Sequence, residues 1–167
     1  MIQNMLSVVI LSDKPQTALL SRIAYALENN LNGGFVLREH IGKGELILNR
    51  GILIIKDLKN PPRKVKFGDG AVSVIESSNR NAVRFAGKYK LNAVCCGMSP
   101  RDTLIAESIS DGRGLLCLQR TIPTVFGERE PCELIAQTDS DCDASTLLLT
   151  AGVLLAAGIG EGTEIRI

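Results

Sequence analysis

The sequence predicts an α/β fold, with a mostly parallel sheet flanked by helices and a late antiparallel hairpin. Short, continuous, β-branched segments at Leu6–Leu11, Ala71–Ile75 and Leu91–Cys96 are typical of strands buried on both faces of a parallel sheet. Segments whose apolar residues recur at helical spacing follow the first two of these strands. The strand–helix–strand spacing between residues 71 and 96 indicates a parallel pair with a right-handed crossover.

The first half of the chain opens with the strand Leu6–Leu11 and an amphipathic helix at Thr17–Glu28. Asn29–Gly34 ends this helix because Asn and Gly readily adopt left-handed conformations. Two short strands are predicted next, at Glu45–Asn49 and Gly51–Ile55.

The second half continues after the strand Ala71–Ile75 with a helix at Asn79–Tyr89. We interpret Thr103–Ile109 as a strand, although it could also be the tail of a helix. Leu115–Thr121 and Cys132–Gln137 are predicted strands of the antiparallel portion. Ala144–Ala157 is predicted to be a strongly apolar helix.

Size and composition indicate one globular domain that spans residues 1–167, because 45% of the residues are hydrophobic and 22% are charged. The net charge of +1 does not favour nucleic acid or an anionic membrane as a partner. Met1–Leu11 lacks the features of a signal peptide, and Thr146–Ile159 is shorter than the ~20 residues of a membrane span. We therefore expect a cytoplasmic protein.

Five cysteines are present, an odd number, and their spacing contains no CxxC. Cys95 and Cys96 are adjacent in a predicted strand, so their side chains point to opposite faces of the sheet. The chain has one histidine, His40, which is distant in sequence from every cysteine. We interpret the cysteines as reduced structural thiols.

Basic residues cluster around Pro61 and Pro62. The cluster consists of Lys56, Lys59, Arg63, Lys64 and Lys66. We interpret it as a solvated loop in preference to a phosphate-binding patch.

The first strand–helix junction, residues 12–17, contains no glycine, and Pro15 removes one N–H donor. A phosphate-binding loop needs glycines that turn successive N–H groups inward. We expect Asp13 to cap the helix instead, with Gln16 reaching back in a variant of the capping box.

The next two junctions provide the candidate ligand-binding residues, because α/β sheets bind ligands at the carboxyl ends of their strands. The alternative is that these residues only cap a helix and form a turn. The candidates, including one hydroxyl from the first junction, are Thr17, Glu76, Ser77, Ser78, Asn79, Ser99 and Arg101. We predict no catalytic residue and no metal site. We interpret the alternating Asp139, Asp141 and Asp143 as a turn that caps the last helix.

The order of these segments resembles the later half of the central domain of Mur ligases. The matching segments are Val74–Gly97, Ser99–Ile109, a β-hairpin and Thr146–Ile159. Leu6–Leu27 resembles the family's P-loop strand and helix, which implies a P-loop-type topology. Mur ligases are ATP-dependent enzymes that add amino acids to UDP-N-acetylmuramic acid in cell-wall synthesis.

The family's functional motifs differ in this chain. Its loop has the form GTNGKTT, and here Ser12 and Pro15 stand at glycines, Gln16 stands at the lysine, and Thr17 keeps a hydroxyl. The positions that match its G-x-H-N-x-x-N motif hold Ser140, Cys142, Asp143 and Thr146. Either Glu76 or Glu45 could correspond to its magnesium-binding glutamate.

The resemblance implies a stand-alone, degenerate domain without the ATP-binding loop and without a cofactor. It would be a binding, scaffold or regulatory module linked to cell-wall metabolism, with a small molecule or a protein as partner. The alternative is an ATP-dependent ligase-like or nucleotide-binding enzyme with an atypical site at Glu76–Asn79 and Gly97–Arg101. We also expect a homodimer, because the helix Ala144–Ala157 carries no charge and needs covering. The alternative covering is a terminal segment of the same chain.

Overall fold

The computed structural model describes residues 5–139, 142–160 and 164–167. These residues form eleven strands and three helices. In chain order they are β1 (Leu6–Ser12), α1 (Thr17–Asn30), β2 (Phe35–Ile41), β3 (Leu46–Ile55), β4 (Val65–Glu76), α2 (Arg80–Lys88), β5 (Asn92–Gly97), β6 (Leu104–Ser110), β7 (Arg113–Leu118), β8 (Ile122–Thr124), β9 (Gly127–Arg129), β10 (Cys132–Gln137), α3 (Ala144–Ala156) and β11 (Glu164–Arg166).

Nine of the strands form one mostly parallel sheet, which confirms the predicted α/β class. The strand order is β11-β10-β7-β6-β5-β4-β3-β1-β2, and β8 and β9 form a separate antiparallel pair. Strands β1 to β6 are paired in parallel, whereas β7 is antiparallel to both β6 and β10. The predicted late antiparallel portion is therefore present.

The chain leaves β1 toward one edge of the sheet and later continues toward the other. β2 pairs with one side of β1, and β3 pairs with its other side. The carboxyl ends of β1 and β3 are therefore a topological switch point, the place where open α/β sheets commonly bind ligands.

Helices cover both faces of the sheet, as predicted. Alternate residues of each central strand point to opposite faces. Val8 and Ile10 belong to the core beneath α1 and α3, whereas Val9 and Leu11 belong to the core beneath α2. Cys96 belongs to the first core, and Cys95 packs against the second.

Helix α3 is buried on all sides. Every residue from Leu147 to Ala156 is buried, and α1 packs against the helix. The amide of Val125, beside the β8–β9 pair, donates a hydrogen bond of 2.9 Å to the Ala156 carbonyl. The chain itself therefore covers the helix, and the uncharged surface that motivated the expected homodimer is not left exposed.

Two segments differ from the strands that the sequence predicts. The two short strands around residue 50 are one strand, β3, whose register against β4 shifts between Leu48 and Arg50. Strand β4 begins at Val65, earlier than the predicted Ala71, and contains Gly68 and Gly70. None of the helices among the described residues has the length and apolar character needed to cross a membrane.

Candidate functional site

Four junctions meet at the carboxyl edge of the parallel strands. They follow β1, β3, β4 and β5, and the amino terminus of α3 lies beside the last two. Two cavities open at this edge. One lies between the β4 and β5 junctions and α3, and the other lies at the switch point.

A polar cluster of Lys56, Glu76 and Ser145 ties three elements together at this edge. The Lys56 ammonium donates to the Glu76 carboxylate at 2.6 Å and to the Ser145 hydroxyl at 3.1 Å. The Ser145 hydroxyl donates in turn to Glu76. The side chains of Lys56 and Glu76 are 25% and 23% exposed, so this ion pair is shielded from water over most of its surface.

The first cavity, which we call the α3 cleft, has a volume of about 400 Å³. Its β4 wall consists of Glu76, Ser77 and Ser78. Its other lining residues come from β5, the following turn and α3, and they are Cys96, Gly97, Met98, Ser99, Asp102, Ala144, Ser145 and Leu148. The structure thus brings together four predicted site residues, Glu76, Ser77, Ser78 and Ser99.

The floor of the α3 cleft is a tight turn after β5. A Cβ atom on Gly97 would lie 2.2 Å from Oδ2 of Asp102 and 2.6 Å from Oγ of Ser77, so no side chain fits there. Asp102 is buried, and its carboxylate accepts a hydrogen bond of 2.9 Å from the Ser99 amide. The side chain of Gln119 donates to the Asp102 carbonyl at 2.7 Å. The segment after β5 is thus a turn, which the sequence offered as the alternative to a ligand site, and it places Ser99 and the buried Asp102 in the lining of the cleft.

The cysteine that lines the α3 cleft has a buried thiol. Cys96 is buried, and its thiol donates to the Leu148 carbonyl at 3.7 Å. Burial raises the pKa of the Cys96 thiol far above its usual range, so the reactive thiolate is suppressed. Burial likewise raises the pKa of Cys95, and the Asp102 charge adds to this effect. All five cysteines are free thiols, of which Cys96 is buried and the other four are partly buried.

The three remaining predicted site residues lie elsewhere. Asn79 caps α2, since its Oδ1 accepts a hydrogen bond of 3.1 Å from the Ala82 amide, and it lines the switch-point cavity. Arg101 is exposed in the turn after β5. Thr17 is exposed at the first residue of α1. These three residues are not among those that line the α3 cleft.

The second cavity, which we call the switch-point cavity, has a volume of about 350 Å³. Its carboxylates are Asp13 and Asp57, which follow β1 and β3. Asp13 accepts hydrogen bonds from the backbone amides of Lys59 at 2.6 Å and Asn60 at 3.1 Å. The residue therefore fixes the segment after β3 and does not cap α1.

The predicted capping box at α1 is wrong. The N-cap residue is Gln16, and no side chain caps the helix there. The Gln16 side chain donates to Ser12 Oγ at 3.2 Å and to Asp57 Oδ2 at 2.9 Å. Tertiary contacts explain the difference. The segment after β3 supplies backbone donors for Asp13 and a carboxylate for Gln16, and these partners lie more than forty residues away in sequence.

Carboxylates also surround the donors that a phosphate would need at this junction. The Gln16 amide donates to Glu39 Oε1 at 2.6 Å. The hydrogen bond from Gln16 lowers the pKa of the Asp57 carboxyl, and the Lys14 charge acts in the same direction. Asp57 therefore stays ionised at neutral pH and offsets the charge of Lys14, whose ammonium lies 3.5 Å from its carboxylate, so this junction offers a phosphate little net attraction.

The amino terminus of α3 is capped as predicted. Asp143 accepts a hydrogen bond of 2.7 Å from the Thr146 amide, and this bond lowers the pKa of the Asp143 carboxyl. Asp139 forms an ion pair of 2.8 Å with Arg22. Ser140 and Asp141, which also belong to the predicted turn, lie outside the described residues.

In the part of the chain that the structure describes, no group of three or more His, Cys, Asp or Glu side chains could hold a metal ion. Sequence reasoning missed Lys56 and Ser145. The available signal was their position: Lys56 directly follows a buried strand, and Ser145 lies at the start of an apolar helix.

A comparison with protein families finds no match, and a comparison with curated proteins finds none either.

Proposed function

We propose that this chain is a degenerate Mur-ligase-like domain that binds a small molecule in the α3 cleft and lacks ATP-dependent ligase chemistry. The main support is the contrast between the α3 cleft and the junction between β1 and α1. The α3 cleft is open, whereas carboxylates and the Gln16 side chain occupy the place where a phosphate-binding loop would lie.

The accessible lining of the α3 cleft is mostly apolar, with a few hydroxyls and carboxylates, so it supports a small amphipathic ligand. Its volume of about 400 Å³ lies in the range of ~300–1,000 Å³ that is typical of small-molecule sites. Ser77, Ser78 and Ser99 offer hydroxyls, and Met98 and Leu148 offer apolar surface. The resemblance to Mur ligases suggests UDP-sugars and muramyl peptides as ligands to test, and a cytoplasmic role near cell-wall metabolism.

A melting experiment tests the choice of ligand. We expect a UDP-sugar or a muramyl peptide to raise the melting temperature of the wild type, and Ser78→Trp to abolish that rise by filling the mouth of the cleft. Ser21→Trp is the matched control, because Ser21 is exposed on α1 and does not line the cleft. A rise that survives Ser78→Trp would place the ligand elsewhere.

The same experiment tests the loss of ATP binding. A ligand at a hundred times its Kd stabilises the folded state by about 2.7 kcal/mol, which gives an easily measured shift. We expect no shift with Mg-ATP, because the first junction lacks glycines and presents carboxylates. A clear Mg-ATP shift that Thr17→Ala abolishes would contradict the proposal.

One observation favours an enzyme as the second candidate. The Ser145 hydroxyl donates to the Glu76 carboxylate beside the Lys56 ammonium, and a hydroxyl next to a carboxylate base can act as a nucleophile. The enzyme would be ligase-like or nucleotide-binding, with an atypical site. Phosphate release from ATP, in the presence of the same ligands, separates the candidates. Turnover that is lost in Glu76→Gln would replace the binding module by the enzyme.

We also propose that the protein forms a homodimer, with strand β2 as the contact. Among the described residues, β2 pairs only with β1 and so presents one free edge of the sheet. Val36 and Ile41 on this strand are 47% and 45% exposed. Two copies of an edge strand can pair around a two-fold axis, which covers both edges at once.

A further inference from the structure

The connection between β3 and β4 lies against α2. Because these strands are parallel, residues 56–64 must run back from the carboxyl end of β3 to the start of β4. Leu58 and Pro62 of this segment are buried, and Leu58 belongs to the same core as Phe85 of α2. The return path therefore places Lys59 beside α2.

A cavity of about 190 Å³ lies between this connection and α2. Three cationic side chains line it, Lys59 from the connection and Arg84 and Lys88 from the helix. Arg84 and Lys88 are four residues apart, so they lie on the same face of α2. No carboxylate lines the cavity. We call it the cationic pocket.

The apolar side of the cationic pocket is aromatic and closely packed. Phe85 and Tyr89 line it, with ring centroids 4.8 Å apart. Phe67 of β4 packs edge-on against both rings, at 6.1 Å and 5.8 Å between centroids. This contact fixes the two rings in place. Phe85 is 5% exposed, and the Lys88 ammonium lies 5.3 Å from the centroid of the Tyr89 ring, so the rings offer a flat group their exposed edges.

The cations of the pocket have no counter-charge of their own. None of Lys59, Arg84 and Lys88 forms an ion pair within the described part of the chain. Asp13 and Asp57 line the adjoining switch-point cavity together with Lys59. Asp13 binds the backbone after β3, and Asp57 binds the side chain of Gln16 and forms an ion pair with Lys14. Like charges gathered at one cavity repel each other, and a bound anion relieves that repulsion.

We propose that the cationic pocket binds a small organic anion, whose phosphate or carboxylate group meets Lys59, Arg84 and Lys88 and whose ring packs on Phe85 and Tyr89. The volume is below the ~300 Å³ of typical whole-ligand sites, so the pocket accommodates one ring and its anionic group. A pocket of this volume, which holds about one ring, differs from the extended basic groove that tracks a nucleic-acid backbone. The site is separate from the α3 cleft and does not rest on its proposed function.

Calorimetric titration of the whole chain with phenyl phosphate, benzoate and inorganic phosphate tests this proposal. We expect an aryl anion to bind more tightly than inorganic phosphate, because only the aryl anions use the aromatic surface. The tighter of phenyl phosphate and benzoate identifies the preferred anionic group. We expect Arg84→Gln to raise the Kd of that ligand about tenfold or more, the effect of losing a charge-assisted hydrogen bond.

Arg80→Gln is the matched control. Arg80 lies one turn earlier on α2, is exposed, and does not line the cavity, so the variant makes the same change in net charge outside the pocket. We expect its Kd to rise clearly less than that of Arg84→Gln, because Arg80 does not line the cavity and its exposed charge acts on the ligand through solvent and salt. Equal weakening in both variants would show general surface attraction and overturn the proposal. The proposal would also be overturned if neither aryl anion saturates the protein at about 10 mM, or if a short oligonucleotide binds and neither aryl anion does.

Discussion

Lys56 holds the polar end of the α3 cleft together, because its ammonium contacts both Glu76 and Ser145. Replacing it with methionine keeps an unbranched apolar stem but leaves the Glu76 carboxylate without its cation. The side chain of Glu76 is 23% exposed, so water can replace only part of what is lost. We expect Lys56→Met to lower the free energy of unfolding by about 1–3 kcal/mol, measured by urea denaturation at pH 7.

Lys59→Met is the control for this change. Lys59 follows in the same connection, is exposed, and forms no ion pair among the described residues. We expect a change within about 0.5 kcal/mol, as for ordinary surface substitutions. If both variants lose the same free energy of unfolding, the Lys56–Glu76 ion pair contributes nothing beyond the effect of replacing a surface lysine.

Asp143 makes the stability of α3 depend on pH. Its carboxylate accepts the hydrogen bond from Thr146 that lowers its folded-state pKa below the ordinary value of 3.8. The charged cap therefore contributes stability that is fully present above the unfolded-state pKa of about 3.9 and is lost as the pH falls through the folded-state pKa. We expect Asp143→Ala to cost about 1 kcal/mol at pH 7. That cost should shrink in urea titrations at decreasing pH below about 4.

Asp69→Ala provides the comparison, because Asp69 is an exposed carboxylate in β4 and not a helix cap. Its effect should be small and nearly constant with pH. A cost for Asp143→Ala that persists unchanged in acid would mean that the carboxylate charge is not what stabilises the helix.

At the scale of elements, α3 and β4 approach each other closely at Gly152. A Cβ atom there would lie 2.7 Å from Cγ1 of Val74 and 3.2 Å from Sγ of Cys96. Alanine favours a helix over glycine by about 1 kcal/mol, but overpacking a core costs about 1–3 kcal/mol. Since α3 is buried on all sides and cannot move away freely, we expect the packing cost to dominate. Gly152→Ala should therefore lower the urea midpoint.

Gly87→Ala separates the two effects. Gly87 lies inside α2, and a Cβ atom there would meet nothing within 4 Å. This variant gains helix propensity without a clash, so we expect it to stabilise the protein by about 0.5–1 kcal/mol. A stabilising Gly152→Ala would mean that α3 can shift on the sheet.

The elements that the sequence predicts well are those whose pattern is set by local burial. β1, β5 and α2 lie within two residues of their predicted bounds, because continuous apolar strands and a clear apolar helix face need no distant partner. β2 was missed because an edge strand is half exposed, and its Arg38, Glu39 and His40 hide the alternation. β11 has three residues and exists through its pairing with β10.

The candidate site divides in the same way. Glu76, Ser77, Ser78 and Ser99 could be placed together because the carboxyl ends of neighbouring parallel strands share an edge. Lys56 and Ser145 join them through tertiary contacts across 20 and 69 residues of sequence, which no local pattern encodes. The capping box at α1 was wrong for the same reason, since distant donors and acceptors outcompeted the local ones.

At the scale of the whole molecule, the two edges of the sheet differ. β11 has three residues, whereas β2 has seven and offers a longer unpaired row of backbone groups. Long free edges favour pairing with another chain, and charged residues reduce that tendency. β2 combines both features, with Arg38 and Glu39 between the exposed Val36 and Ile41. The unpaired edge favours pairing and the charged side chains oppose open aggregation, so we expect a specific two-fold pair.

We therefore expect a dimer at tens of micromolar, with a mass about twice the 18.0 kDa of the chain in light scattering behind a sizing column. Val36→Lys should return the mass to that of the monomer, because it places a charge on each copy at the two-fold contact, where like charges repel. Val83→Lys is the control, since Val83 is 43% exposed on α2 and Val36 is 47% exposed on β2. A monomeric wild type would contradict the homodimer. A dimer that survives Val36→Lys would move the contact away from β2.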